Sequence, residues 1–274
     1  MKTLTTQGVA IPRLGLGTFG MEGALAQKAV ERAIDAGYRH IDTAAMYANE
    51  DAVGAGIAAS GIARKDIFVT TKVWHDSLAP DAVRRSFDTS LTKLGLDHVD
   101  LFLVHWPTPD MDLAATLEVL IDLKESGLTR AIGVCNFPQV LLRKAVEEVC
   151  APIAVNQVEY HPFLSQDTLL GYMQPRGIAL TAYSPVAKGT TSEDPVLSAI
   201  GRKQGVDGAQ IALAWLLDQD GVIAIPKAAS RENQKANLRA MDVVLDEEDR
   251  AAIAALPKNK RFVNPGFAPD WDAE

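Results

Sequence analysis

Cysteine is scarce in this chain: Cys135 and Cys150 are the only two among 274 residues. They form neither a disulfide framework nor the paired spacing of a zinc site. The five histidines are scattered, so no metal centre is expected. Long apolar runs are missing too. None approaches the roughly 18 residues of a membrane span, and the opening from Met1 to Gly8 lacks the apolar stretch of a signal peptide. Positive charge is in deficit, with 27 Lys and Arg against 35 Asp and Glu and a formal net charge of −8. That balance argues against nucleic acid or an anionic membrane as a partner. No low-complexity tract, Pro/Gly linker or charge shift divides the chain. The expectation is one cytoplasmic domain, acting as a monomer.

What is present is ordinary globular composition, 47% apolar and 23% charged, with material for a sizeable core. Short apolar runs alternate with segments of helical period. Strands are predicted at 13–17, 38–42, 67–72, 99–105, 130–134, 154–159, 179–183 and 222–226. Helices between them include 25–35, 81–94, 139–149 and 209–217, with an extra helix at 193–204 and a closing one at 246–255. Eight strand–helix repeats, in a chain near the typical barrel size of about 250 residues, read as a single-domain α/β (β/α)8 TIM barrel. The first strand is the weakest, because Pro12 and three nearby glycines interrupt it.

Those glycines raise a rival. Gly15-Leu16-Gly17-Thr18-Phe19-Gly20 matches the G-x-G-x-x-G pattern of dinucleotide-binding domains, with Asp42 downstream. The context opposes it: Pro12 breaks the preceding strand, and Met21-Glu22-Gly23 delays the helix that should receive the pyrophosphate. That reading also leaves the last four strand–helix units unexplained.

Three predicted strands end in an ionisable residue directly after an apolar run: Asp42, Lys72 and His105. Barrel strand ends converge on the face where active sites sit. Buried Asp and Lys are costly unless paired, so Asp42 and Lys72 are natural partners on neighbouring strands. Tyr47 lies in the loop just after Asp42. Singly, each has an ordinary explanation. Asp42 could cap a turn, Lys72 face solvent, His105 sit satisfied in the core and Tyr47 be an amphipathic loop residue. Only their joint occurrence at successive strand ends sets them apart.

Several stretches together resemble the aldo-keto reductases. They are Gly15-Leu16-Gly17-Thr18-Phe19, His40-Ile41-Asp42-Thr43-Ala44 with Tyr47-Ala48-Asn49-Glu50, and Thr71-Lys72-Val73-Trp74. Asp100 through Pro107, Ile132 through Phe137, Asn156 through Pro162 and Ile225-Pro226-Lys227 continue the match in order. Within the family the chain is most similar to bacterial members acting on 2,5-diketogluconate, methylglyoxal and related small carbonyls. The resemblance implies NADPH-dependent reduction of a small aldehyde or ketone, with Asp42, Tyr47, Lys72 and His105 as the catalytic tetrad. The chemistry fits. Tyr47 would protonate the carbonyl oxygen, Lys72 would lower the phenol's pKa, Asp42 would fix the lysine, and a neutral His105 would orient the substrate.

For the cofactor, the resemblance implies Asn136 and Gln157 on the nicotinamide carboxamide and Tyr183 stacked beneath its ring. Gly17, Thr18, Asp42, Ser184 and Asn237 complete the set. Tyr183 could equally be core packing. Lys227, after strand eight, falls where the family grips the 2′-phosphate. Ala228 replaces the usual serine there, and Asn233 the expected arginine. Arg231 is a candidate substitute, or else an exposed helix-start charge. Cys135 stands where many members carry serine, and an inert small hydrophobe is expected of it. Phe19, Trp74, His75, Trp106 and Trp271 are the substrate-facing candidates, for His75 a surface role being as good a reading. The tail 261–274 is expected to wall the barrel mouth, since three large aromatics, Phe262, Phe267 and Trp271, would otherwise be exposed.

Three rivals for the chemistry can be weighed. A Schiff-base aldolase would need Lys72 or Lys227 away from acids. A cofactor-binding relative without catalysis, such as the family's channel-associated subunits, would be favoured by loss of Tyr47 or His105, and both are present. Short-chain dehydrogenases are excluded because no Tyr-x-x-x-Lys occurs.

Overall fold

The computed structural model describes residues 2–272. Eight parallel strands run in chain order around one sheet. They are β3 (Leu16–Gly17), β4 (His40–Asp42), β5 (Phe68–Val73), β6 (Val99–Val104), β7 (Thr129–Cys135), β8 (Ile153–Glu159), β9 (Ala179–Tyr183) and β10 (Val222–Ala224). Bridges Leu14↔Ala224 and Gly17↔Lys227 join the last strand to the first and close a (β/α)8 barrel. The first strand is indeed short. Its pairing is carried by single backbone bonds, Gly15 N to Ala224 O and Gly17 N to Pro226 O.

The helices packed outside are α1 (Gly23–Ala36), α2 (Glu50–Ala59), α3 (Pro80–Leu94), α4 (Leu113–Glu125), α5 (Gln139–Arg143) and α6 (Asp167–Met173). After them come α7 (Thr190–Glu193), α8 (Pro195–Gln204), α9 (Gly208–Asp218), α10 (Arg231–Arg239) and α11 (Glu247–Ala254). Two predicted helices are modified. The one at 193–204 begins at Pro195, because a residue before proline is pushed out of the α region, and Asp194 instead caps the helix through Val196 N and Leu197 N. The one at 139–149 stays helical only to Arg143 and passes into a π turn over Lys144–Glu148.

An antiparallel hairpin, β1 (Thr3–Thr6) with β2 (Val9–Pro12), precedes the barrel and was not foreseen. Its Val9 and Ile11 join an interior cluster with Phe68, Leu101, Leu103 and Val155. The Thr6 hydroxyl donates to the carbonyls of Ala154 and Gly177. The hairpin thereby stoppers the lower end of the barrel.

Strand alternation then sets the upper end. Side chains two apart share a face, so Phe68, Thr70 and Lys72 form one inward column, and Leu101, Leu103 and His105 its neighbour. Apolar residues fill most of the lower and middle levels, with buried His40 held there by Pro12 O and Thr70 Oγ1, while Asp42, Lys72 and His105 stand at the top. Gly133 belongs to this packing. A Cβ there would lie 2.4 Å from Val155 O and 2.8 Å from Leu103 Cδ2, so any side chain would displace a strand.

Candidate active site

Lys72 is wholly buried, and its ammonium donates to Asp42 Oδ1 at 2.5 Å and to Thr43 O at 2.7 Å. The Tyr47 hydroxyl lies 3.5 Å away from it. Burial is the largest single influence and opposes the lysine's charge, but Asp42, Tyr47 and Cys135 together outweigh it, and the group is held above the ordinary lysine value. The other Asp42 oxygen, Oδ2, accepts from Gln157 Nε2 at 2.8 Å across the barrel. The ionic floor is therefore saturated with donors, as a buried charge pair requires.

Tyr47 sits in a short 3-10 turn, Ala45–Tyr47, between β4 and α2. That turn is pinned by residues to which the sequence reading gave no role. Thr43 Oγ1 donates to Asn49 Oδ1 at 2.8 Å, and Asn49 Nδ2 donates to the carbonyls of Thr18 and Met21. Buried Glu50 accepts from Thr71 Oγ1 at 2.6 Å. Thr43, Asn49 and Glu50 all stand within the stretches that carry the family resemblance, but nothing local in the sequence shows what they bind.

The electrostatics of the phenol correct one expectation. Lys72 does pull its pKa down, yet burial is the larger cause, and the group is pushed up to about 12. Tyr47 therefore keeps its proton throughout the neutral range. His105 packs beside it with ring centroids 5.5 Å apart and meets Trp74 at 5.0 Å. Burial first, then the Lys72 charge, hold its imidazole well below the ordinary value, so it is neutral near pH 7. Its Nδ1 is buried without a hydrogen-bond partner.

Around this centre the remaining candidates divide. Phe19 is exposed with its ring 5.1 Å from Tyr47. Trp74, His75 and Trp106 surround the Phe267 ring at 5.8, 4.3 and 5.5 Å, and Trp271 meets Trp106 at 6.0 Å. The aromatic candidates of the chain thus gather beside the tetrad. Phe262 instead packs 5.4 Å from His161, and Phe267 keeps 37% of its surface exposed, so the tail does not shield all three rings as expected. Residues 273 and 274 of the predicted tail lie outside the described residues. A cavity of about 360 Å³ adjoins this cluster, with Pro107, Met111, Leu141, Lys144 and Phe267 in its lining.

Asn136 follows β7 with a left-handed backbone, φ 60°. Its amide donates to His105 O and accepts from the Tyr183 hydroxyl at 2.9 Å. Ser184, directly after Tyr183, is also left-handed at φ 48°. Gly17 pairs with Asp42, and Thr18 Oγ1 donates to Asp42 O at 3.0 Å. Cys135 is buried in the barrel interior, its thiol pushed up by burial.

The corner where a 2′-phosphate was expected is less complete. Lys227 is exposed, with no hydrogen bond or ion pair among the described residues. Arg231, the candidate substitute, is bound to Asp35 at 2.6 Å, both partners half exposed. Asn237 lies on the inner side of α10 against the Tyr38 hydroxyl. Among the described residues, no group of three or more His, Cys, Asp or Glu is placed to hold a metal, and no helix is long and apolar enough to cross a membrane.

A family model described as the aldo/keto reductase family matches residues 13–258. The chain is 42% identical to methylglyoxal reductase DkgB of Escherichia coli O157:H7 over 96% of its own length and 100% of that protein. It is 41% identical to glyoxal reductase of Bacillus subtilis, covering 93% and 92% of the two chains. A crystal structure described as a candidate 2,5-diketo-D-gluconic acid reductase B superposes with a TM-score of 0.97 at 43% identity, spanning 100% of this chain and 98% of that one. The order of the barrel strands, the Asp42–Lys72–Tyr47 cluster and these matches lead to one conclusion: the chain belongs to the aldo/keto reductase family.

Proposed function

We propose that this enzyme reduces small aldehydes and ketones, α-keto aldehydes and keto sugars among them, with NADPH as reductant and Tyr47 as the general acid. The observation that carries the reading is the fully buried Lys72, held between Asp42 and the Tyr47 hydroxyl at the bottom of an aromatic-lined mouth. The names of the relatives, methylglyoxal and glyoxal reductases, point to the same substrate class.

The donor set suits a nicotinamide cofactor. Two amides, Asn136 and Gln157, and the Tyr183 ring lie at neighbouring strand ends, and the buried Nδ1 of His105 has no protein partner. When bound, the cofactor supplies the hydride. Everything else falls to the chain. Tyr47, protonated at neutral pH, delivers its proton to the carbonyl oxygen as negative charge develops there. Lys72 stabilises the phenolate left behind, and Asp42 and Gln157 hold the lysine in place. Neutral His105 donates a hydrogen bond that orients the carbonyl, and Trp74 and Trp106 keep water from it. Lys227 is the cation assigned to the 2′-phosphate; Arg231 joins it only by leaving Asp35. The proposal includes a cytoplasmic monomer acting on a free small molecule, for which sedimentation velocity is the check.

The test is Tyr47→Phe. Turnover of methylglyoxal with NADPH should fall by roughly 10²–10⁴, while NADPH binding, followed by tryptophan fluorescence, stays within a few-fold. Near-normal turnover would overturn the mechanism.

A further inference from the structure

Glu159 ends β8, is wholly buried and takes no part in the tetrad. Every hydrogen-bonding partner of its carboxylate is a donor. Oε1 accepts from Phe262 N and from His161 Nε2, each at 2.8 Å, and Oε2 accepts from Val263 N at 2.8 Å. His161 is equally buried, and its Nδ1 accepts from Phe163 N at 3.3 Å, so Nε2 carries the proton given to Glu159. The same loop binds the chain just ahead, through Lys260 N to Phe163 O and Ser165 N to Lys258 O.

From Arg261 to Asp272 the chain has neither helix nor strand to satisfy its amides. Two consecutive backbone N–H groups of such a segment need a bidentate acceptor or water. A buried carboxylate is in turn costly without donors. Each therefore requires the other, and their meeting fixes the path of the tail at 262–263. Beyond that point the tail braces itself. The Trp271 indole donates to Asn264 Oδ1 at 2.8 Å, the Arg261 guanidinium covers the Trp271 ring at 3.9 Å, and Gln139 N donates to Asp272 Oδ2 at 2.7 Å. The ring that this path delivers to Trp74, His75 and Trp106 is Phe267.

We propose that Glu159, oriented by His161, is a positioning residue for substrate selectivity: it latches the root of the C-terminal tail so that Phe267 and Trp271 stand against Trp74 and Trp106. The inference rests on the reductase reading above for its kinetic readout, but the latch itself can be measured without any substrate.

Glu159→Gln keeps the volume while turning one acceptor into a donor that faces donors. Amide exchange should find 262 and 263 protected in the wild-type protein and opening about tenfold to a hundredfold faster in the variant, the effect of losing a hydrogen bond to a charged acceptor. KM for a bulky aromatic aldehyde should then shift roughly tenfold relative to KM for methylglyoxal, kcat moving less, with the NADPH dissociation constant unchanged. A merely structural role would lower Tm without moving that ratio. In a Phe267→Ala, Trp271→Ala background, Glu159→Gln should leave the ratio where it was, because the latch then has nothing to position. Unprotected wild-type amides at 262 and 263, a ratio unmoved by Glu159→Gln, or an equal further shift in the double background each overturns the proposal. Should Glu159→Gln not fold, Val263→Pro removes one donor from the tail side and is judged by the same ratio. A wild-type enzyme inert to every carbonyl would count against the reductase reading alone, and the exchange rates would still decide the latch.

Discussion

Asp42, Lys72 and His105 sit at or just beyond the ends of three adjacent strands, where ladder hydrogen bonds fix each Cα and leave only a rotamer to choose. Phe267 and Trp271 ride on a segment without regular structure, held by the distant side chains of Glu159 and Lys188 at its backbone and by Gln139 N at Asp272. The floor of the mouth is thus a product of barrel geometry, and the wall a product of a few specific contacts. Groups that must be placed to a fraction of an ångström belong on the first, while groups that distinguish one substrate from another can vary on the second.

The sharpest way to break the floor is Lys72→Met. Asp42 would be left buried with one donor fewer, and the phenolate formed on Tyr47 would lose its cation. Turnover should fall by roughly 10²–10⁴, together with about 3–5 kcal/mol of stability from the broken buried pair; single-turnover kinetics and urea unfolding measure the two separately. The wall is broken instead by deleting 261–274. The ratio of kcat/KM between a bulky and a small aldehyde should change by about tenfold, since the deletion removes the Phe267 and Trp271 rings from Trp74, His75 and Trp106, while NADPH affinity is largely kept. An unchanged ratio with a lowered Tm would make the tail a structural brace only.

The phosphate corner lies between these extremes, being anchored to a strand end but exposed. Lys227→Ala should reduce the preference for NADPH over NADH about tenfold, read from the two KM values. Arg231→Ala should do less, because an exposed pair such as Arg231–Asp35 is worth only about 0–1 kcal/mol and competes with the phosphate. Asn233→Arg should raise the preference. The smallest effect concerns acid. Burial depresses the titration of His105 and His40, so the folded protein disfavours their protonation. Below the ordinary histidine value of about 6.5 the unfolded chain binds protons that the native state refuses, and stability falls as pH falls. The slope is at most about 1.4 kcal/mol per pH unit for each group, and melting curves of His105→Gln should be flatter over that range than those of the wild type.

The floor was legible in the sequence because a barrel imposes alternation: an apolar run ending in an ionisable residue places that residue at the mouth. Lys72 and Asp42 could be paired on this ground alone. The hairpin that closes the other end was not, since Thr3–Thr6 is short, mostly polar and meets its partners Ala154 and Gly177 far along the chain. The break at Asp194 is legible in Pro195, which keeps the residue before it out of the helix. Glu159 ends β8 and His161 follows it closely, but nothing local announces an acceptor whose two backbone donors lie about a hundred residues later. The titration of Tyr47 was misjudged for a related reason. The attracting charge is visible in sequence, whereas the extent of burial is a property of the assembled site.

The stopper formed by Val9 and Ile11 has a kinetic consequence. A vessel closed below has one doorway, so whatever reaches Lys72 leaves by the route it came in, past Trp74, Trp106 and the tail. Arrival and departure are then in competition for the same passage, and the dwell time of a molecule at the bottom is governed by what stands above it. Slow exit past that wall would show as a kcat for a bulky aldehyde that falls as solvent viscosity rises.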